Sequence, residues 1–233
     1  MTARSSIGVI LPAGGSGVRF GANIPKQYIR LGGLPVIAHC IKTVLSMEHV
    51  DVVVIAVQEE QHGVLSDIIA ECGLRDARIH LVAGGRDRQT SVLNALRHKA
   101  VDGTDVVAVH DAVRPFASRE LWNRVTDAGA LFGAAIPVLP VTDTLKVVTK
   151  ELVTGTPDRS SIYRAQTPQA FHTSVLRHAY EQAHRDNYAG TDCASLCERA
   201  GIGVRCVAGE DKNIKITTAF DAMVAEAIVH GNC

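Results

Sequence analysis

Short runs rich in Val, Ile and Ala recur along this chain, and stretches with helical spacing fill most of the gaps between them. The runs at 7–13, 50–57 and 106–110 are apolar almost throughout, as expected of strands covered on both faces. Further strands are predicted at 78–83, 134–138 and 204–207, and helices at 35–46, 58–72, 88–98 and 220–229, with Ser118 opening another. Such βαβ alternation predicts an α/β fold: a doubly wound, mostly parallel sheet, Rossmann-like, with ligands at the carboxyl ends of its strands.

The first of those strand ends carries Ala13-Gly14-Gly15-Ser16-Gly17-Val18-Arg19, and Pro25-Lys26-Gln27-Tyr28 follows. Glycines let the backbone turn tightly and present bare N–H groups, which suits a phosphate chain. A turn needs the glycines but not the cations Arg19 and Lys26. No Gly-Lys-Ser/Thr follows, so this is not a P-loop. Phe20 stands where a dinucleotide fingerprint wants its third glycine, and the strand at 50–57 ends in Gln58 rather than an acid, which disfavours an NAD-dependent oxidoreductase. The expectation is a triphosphate loop.

Composition narrows the class. The 24 basic and 24 acidic side chains cancel, which argues against a nucleic-acid platform or an anionic-membrane binder, so any positive field is local. No stretch is apolar enough to span a bilayer, and the N-terminus lacks a signal-peptide pattern. The six cysteines contain no C-x-x-C pair, and Cys193 and Cys197 alone make a poor zinc site. A single domain over 1–233 in a reducing, cytoplasmic setting is expected.

Residues 139–165 break the rhythm: rich in Val and Thr and without a helical stripe, they predict a β-hairpin arm turning near Lys150-Glu151. An isolated hairpin is marginal, so this one folds back on its own domain or reaches a partner subunit. Asp143-Thr144 and Asp158-Arg159 fall on its two arms. Asp111, at the carboxyl end of the strand at 106–110, is suited to hold Mg²⁺ or a sugar hydroxyl, and Arg114 to pair with phosphate or brace Asp111. Gln166-Thr167-Pro168-Gln169 is a rigid turn presenting Thr167, and Lys215 is placed in a short strand between two isoleucines.

In this order the segments resemble the 2-C-methyl-D-erythritol 4-phosphate cytidylyltransferases of the non-mevalonate isoprenoid route. The resemblance is carried by Pro12-Ala13-Gly14-Gly15 with Arg19, Pro25-Lys26-Gln27-Tyr28, Arg88 with Ser91, and His110-Asp111-Ala112-Val113-Arg114-Pro115. It continues through Asp143-Thr144-Leu145-Lys146, Gln166-Thr167-Pro168-Gln169, Thr191-Asp192 with Ala194-Ser195, and Asn213-Ile214-Lys215. It implies that Arg19, Lys26, Lys215 and Arg159 serve catalysis, and that Ala13, Gly14, Gly15, Gly85, Arg88, Ser91 and Ala112 bind CTP. Asp111, Arg114, Thr144, Thr167 and Thr191 would bind the sugar-alcohol phosphate, with Mg²⁺ held mainly by the phosphates and Asp111 as a further ligand. Thr144 and Arg159 would enter the neighbouring site of a homodimer through a swapped arm. Cys193, where the family often has Glu, and Gly14, where some members have Ala, are departures. Ribitol-5-phosphate cytidylyltransferases share most of these motifs, and a non-catalytic nucleotide-binding domain could use the same loop. The implied reaction, attack of a phosphate dianion on the α-phosphorus of CTP, needs no general base, because the second phosphate pKa is about 6. It needs neutralisation of charge and in-line positioning.

Overall fold

In the computed structural model the described residues are 5–15 and 25–231. Arg19 and the rest of the glycine loop beyond Gly15, and Cys233, lie outside them.

The sheet order explains where a site can form. Strands β1 (Ile7–Pro12), β4 (Val50–Val57), β5 (Ile79–Ala83) and β6 (Val106–Val109) are parallel, in the spatial order β5-β4-β1-β6. The chain steps outward from β1 to β5 and then returns to β6 on the other side of β1. That reversal opens a crevice at the carboxyl ends of β1 and β6. Beyond β6 the sheet becomes mixed, through β11 (Gln169–His172), β7 (Ala134–Pro140) with β10 (Tyr163–Ala165), and β12 (Arg205–Ala208) parallel to β7.

Alternation along the strands sorts the core into two layers. Val9 and Leu11 of β1, with Val53, Ile55 and Val57 of β4, pack with α1 (Val36–Leu45), α2 (His62–Glu71) and α4 (Arg119–Phe132). Ile10, Val54 and Ala56 face the opposite way, toward α3 (Arg88–Leu96), α5 (Thr173–Arg185) and α6 (Cys193–Arg199). Both faces are therefore dry, as the near-continuous apolar runs require. A small third cluster joins the β2 (Arg30–Leu31) and β3 (Leu34–Pro35) pair to α7 (Ala219–Val229) through Leu31, Val36, Ile216 and Ala225.

Local signals set the helix ends. The Ser118 hydroxyl accepts from Leu121 N–H as the N-cap of α4, a bond worth about 1 kcal/mol, and Gly133 ends that helix at φ 87°, where other residues are strained. Asp87 caps α3 in the same way through Thr90 N–H.

Three expectations need correction, and one strand is not anticipated from sequence. The run Gln169–His172 is a strand although its sequence carries no strand pattern, because it fills the gap between β6 and β7 and satisfies both edges. Lys215 is not in a strand: residues 213–217 form an irregular segment tied to the core by Ile216 N–H donating to Val113 O. The hairpin is shorter than 139–165, comprising β8 (Val147–Thr149) and β9 (Leu152–Gly155), while β10 and the end of β7 belong to the main sheet. Its turn is at Lys150-Glu151, both with positive φ, the geometry that matches strand twist. Finally, Asp143-Thr144 and Asp158-Arg159 lie outside the hairpin strands, with Asp158 capping the short helical turn Arg159–Ser161.

Candidate active site

The strand ends converge on a cavity of about 350 Å³. Each wall comes from a different crossover: Ala13, Gly14 and Gly15 after β1, Gln58 after β4, Gly85 to Arg88 after β5, and Asp111 to Val113 after β6. Lys26 and Lys215 close it from elements outside the sheet.

The loops on the β1–β5 side are braced through their backbone. Ser91 Oγ accepts from Gly85 N–H at 2.9 Å and donates to Asp87 O at 2.8 Å, so the buried hydroxyl holds the turn shut. A Cβ on Gly85 would stand 2.3 Å from Thr90 Cβ, which leaves glycine as the residue that fits. Buried Gln27 donates to Ala13 O at 2.7 Å, and the Gln58 amide reaches Gly14 O at 3.4 Å and Gly85 O at 3.3 Å. Sequence gives neither glutamine a role, although Gln27 stands in the Pro25-Lys26-Gln27-Tyr28 motif, since the partners are backbone atoms of distant loops.

Across the cavity sits a charge cluster. The Asp111 carboxylate accepts from Arg88 Nε at 3.0 Å and Lys215 Nζ at 2.9 Å, and Arg114 Nε stands 3.7 Å away. Burial alone would push the Asp111 carboxyl up, but Arg88, Lys215 and Arg114 hold it well below the usual carboxylate range. Three cations thus share one carboxylate, which leaves the cavity electropositive. Among the described residues Arg88 Nη2 and Arg114 Nε are buried without a hydrogen-bond partner, so the cluster keeps unused donors.

Beneath the cluster, Asp111 N–H donates to Thr167 Oγ1 at 3.1 Å, and Thr167 Oγ1 meets His110 Nδ1 at 3.0 Å. His110 Nε2 reaches Arg114 O at 3.0 Å. The consistent tautomer has Nε2–H donating to Arg114 O and Nδ1 accepting the Thr167 proton. Burial pushes the His110 imidazole down to about 4, so it is neutral at pH 7. Asn213 donates to Thr167 O at 2.8 Å and its own carbonyl accepts from Arg114 Nη1 at 2.8 Å, which fixes the segment that carries Lys215.

The expected residues therefore divide. Ala13, Gly14, Gly15, Lys26, Gly85, Arg88, Ser91, Asp111, Ala112 and Lys215 line one cavity. Arg114 and Thr167 sit behind it: the Thr167 hydroxyl is consumed by Asp111 and His110, and Thr167 is only 4% exposed. Thr191 is exposed just before α6, whose N-cap Asp192 is held by Gln169 at 2.7 Å. Thr144 and Arg159 lie on the exposed arm, where the Arg159 guanidinium donates to Thr142 O. Cys193 is fully buried between Tyr180 and Arg88, and burial pushes its thiol up, so a neutral group stands there. As a metal ligand Asp111 is poorly suited in this arrangement, since both of its oxygens already accept from cations.

A doubly wound sheet with glycine loops and an excess of cations at its switch point is the arrangement of an α/β nucleotidyltransferase, and the solved structures it matches share that fold. The 2-C-methyl-D-erythritol 4-phosphate cytidylyltransferase family profile matches residues 7–231, and the chain belongs to that family. It is 42% identical over 221 residues to the enzyme of that name from Syntrophus aciditrophicus, covering 94% of each chain. It is 38% identical to the one from Bacillus licheniformis, over 95% of this chain and 94% of that one. Among solved structures, 4-diphosphocytidyl-2C-methyl-D-erythritol synthase from Anaerococcus prevotii superposes with a TM-score of 0.84 at 31% identity, covering 97% and 96% of the two chains. The 2-C-methyl-D-erythritol 4-phosphate cytidylyltransferase from Thermus thermophilus gives 0.78 at 31% identity, covering 97% and 99%.

Proposed function

We propose that this chain transfers CMP from CTP to 2-C-methyl-D-erythritol 4-phosphate and releases pyrophosphate. The observation that carries the reading is the facing of two glycine loops by a cluster in which Arg88, Arg114 and Lys215 share the single carboxylate of Asp111. The loops around Ala13–Gly15 and Gly85 take the nucleotide, with Ser91 holding the second turn and Ala112 on the floor. Lys26 and Arg19 neutralise the triphosphate as the α-phosphorus is attacked. Lys215, 40% exposed and oriented by Asp111, presents its ammonium to the attacking phosphate. Asp111 and Arg114 also set the pocket for the polyol, with Thr167 as the brace beneath Asp111. Thr191, exposed just before α6, is assigned to the same substrate on the family pattern alone. The attacking phosphate is already mostly dianionic at neutral pH, so the neutral, buried His110 is not asked to move a proton.

Mg²⁺ enters this reading only as an ion carried by the phosphates, and no step is assigned to it. The chain acts as a homodimer. Val147, Val148, Leu152 and Val153 are each more than half exposed on a hairpin whose strands pair only with each other among the described residues. Such a surface calls for a cover, and a second copy supplies one while bringing Arg159 and Thr144 to its site. No helix among the described residues is long and apolar enough to cross a membrane, and Cys40, Cys72, Cys193, Cys197 and Cys206 are free, which suits a reducing cytoplasm.

The test is pyrophosphate release with CTP and each of two acceptors, methylerythritol phosphate and ribitol 5-phosphate. The first should exceed the second by at least about tenfold in kcat/KM, a discrimination of about 1.4 kcal/mol that one hydroxyl contact can supply. The reverse ranking would move the chain to the ribitol enzyme, and no release with either would end the reading.

A further inference from the structure

We propose that Gln58 is a positioning residue that locks the two nucleotide loops to one another; the proposal rests on the assignment of those loops to CTP. Gln58 is the first residue after β4, the strand between β1 and β5, so its side chain stands between the loops that leave its two neighbours. Its Nε2 lies 3.4 Å from Gly14 O and 3.3 Å from Gly85 O. Both partners are carbonyl oxygens, so only the amide nitrogen can face them, and each of its two protons has one acceptor.

The consequence follows from peptide geometry. In a planar trans peptide the N–H points opposite to the C=O. Holding Gly14 O therefore orients Gly15 N–H, and holding Gly85 O orients Arg86 N–H, each away from Gln58. The same bonds cover two carbonyl dipoles that would otherwise repel a polyphosphate. The loop passes close against this amide, since a Cβ on Gly14 would lie 3.3 Å from Gln58 Nε2. Ser91 holds the second loop from within its own turn, so Gln58 is the link between loops rather than a second internal brace.

Gln58→Met keeps the length and loses both donors, while Gln58→Glu presents an acceptor to two acceptors. In Gln58→Met the KM for CTP should rise about tenfold, the scale of one net hydrogen bond, with kcat and the KM for the sugar phosphate within about twofold of wild type. Gln58→Glu should raise it further. Unchanged KM for CTP in Gln58→Met would overturn the proposal. So would an equal fall in kcat and both affinities accompanied by a lower Tm, which would mark a merely structural residue. Isothermal titration with inorganic triphosphate separates this from the wider reading. Wild type that binds triphosphate without turning over CTP refutes the enzymatic assignment, and the lock then stands or falls on whether Gln58→Met weakens triphosphate about tenfold. Wild type that binds neither overturns both.

Discussion

Asp111→Asn isolates the role of the single negative charge in the cation cluster. The amide keeps the shape and can still accept from Arg88 or Lys215, but Arg88, Lys215 and Arg114 then stand together without a counter-charge. Removing one partner from a buried ion pair costs about 3–5 kcal/mol. Lys215 is 40% exposed, so solvent screens part of its share and the lower figure, about 3 kcal/mol, applies. For a chain of this size that is a fall in Tm of about 6–12 °C at pH 7. The pH dependence has a definite sign. The folded carboxyl titrates below its unfolded value of about 3.9, so its stabilisation is fully present above that value. It is lost as the pH falls through the lower, folded value, and the Tm gap between wild type and Asp111→Asn should narrow below about pH 4. Added inorganic phosphate should restore the variant more than the wild type, by up to about 2.7 kcal/mol at a hundredfold excess over its Kd. Circular dichroism melts across pH 3–8, with and without phosphate, read all three. Equal Tm values at pH 7, or a gap that stays constant down to pH 3, would refute the charge accounting.

Three further outcomes follow from particular contacts. If arms are exchanged, Lys26→Ala and Arg159→Ala should each be nearly inactive, and refolding them together should recover about a quarter of wild-type activity, since half the dimers are mixed and each has one intact site; mixed dimers that stay dead would place Arg159 in its own chain's site or in none. Gly85→Ala should destabilise by about 1–3 kcal/mol and weaken CTP, because the new methyl meets Thr90 Cβ at 2.3 Å, whereas Gly15→Ala, 3.8 Å from Lys26 Cε, should fold as wild type; equal melts would show that the turn relaxes freely. The His110 imidazole, followed by NMR, should stay neutral to about pH 5, because burial favours the uncharged form; its share of stability is then present above about 6.5 and is lost as pH falls toward 4, and a transition near 6.5 in the folded protein would contradict the buried bonds to Thr167 and Arg114.

Where a local physical rule governs, sequence was sufficient. Apolar runs such as Val50–Val57 must be covered on both faces, Ser118 supplies an oxygen where the first helical N–H groups lack partners, and glycines after a strand allow an anion nest. These rules determined the layered α/β architecture and the strand ends at which the site forms. What they did not determine depends on groups far apart in the chain. Gln169–His172 is a strand because β6 and β7 leave a gap of the right width, and Gln27 and Gln58 matter because carbonyls of other loops lie within reach of their amides. Asp111 reads in sequence as a metal or sugar ligand; with Arg88 23 positions before it and Lys215 arriving from an irregular segment, it is in space also the shared anion of a cation cluster. Side-chain pairing in a buried cleft depends on distance in space and on the local dielectric, and chain order encodes neither.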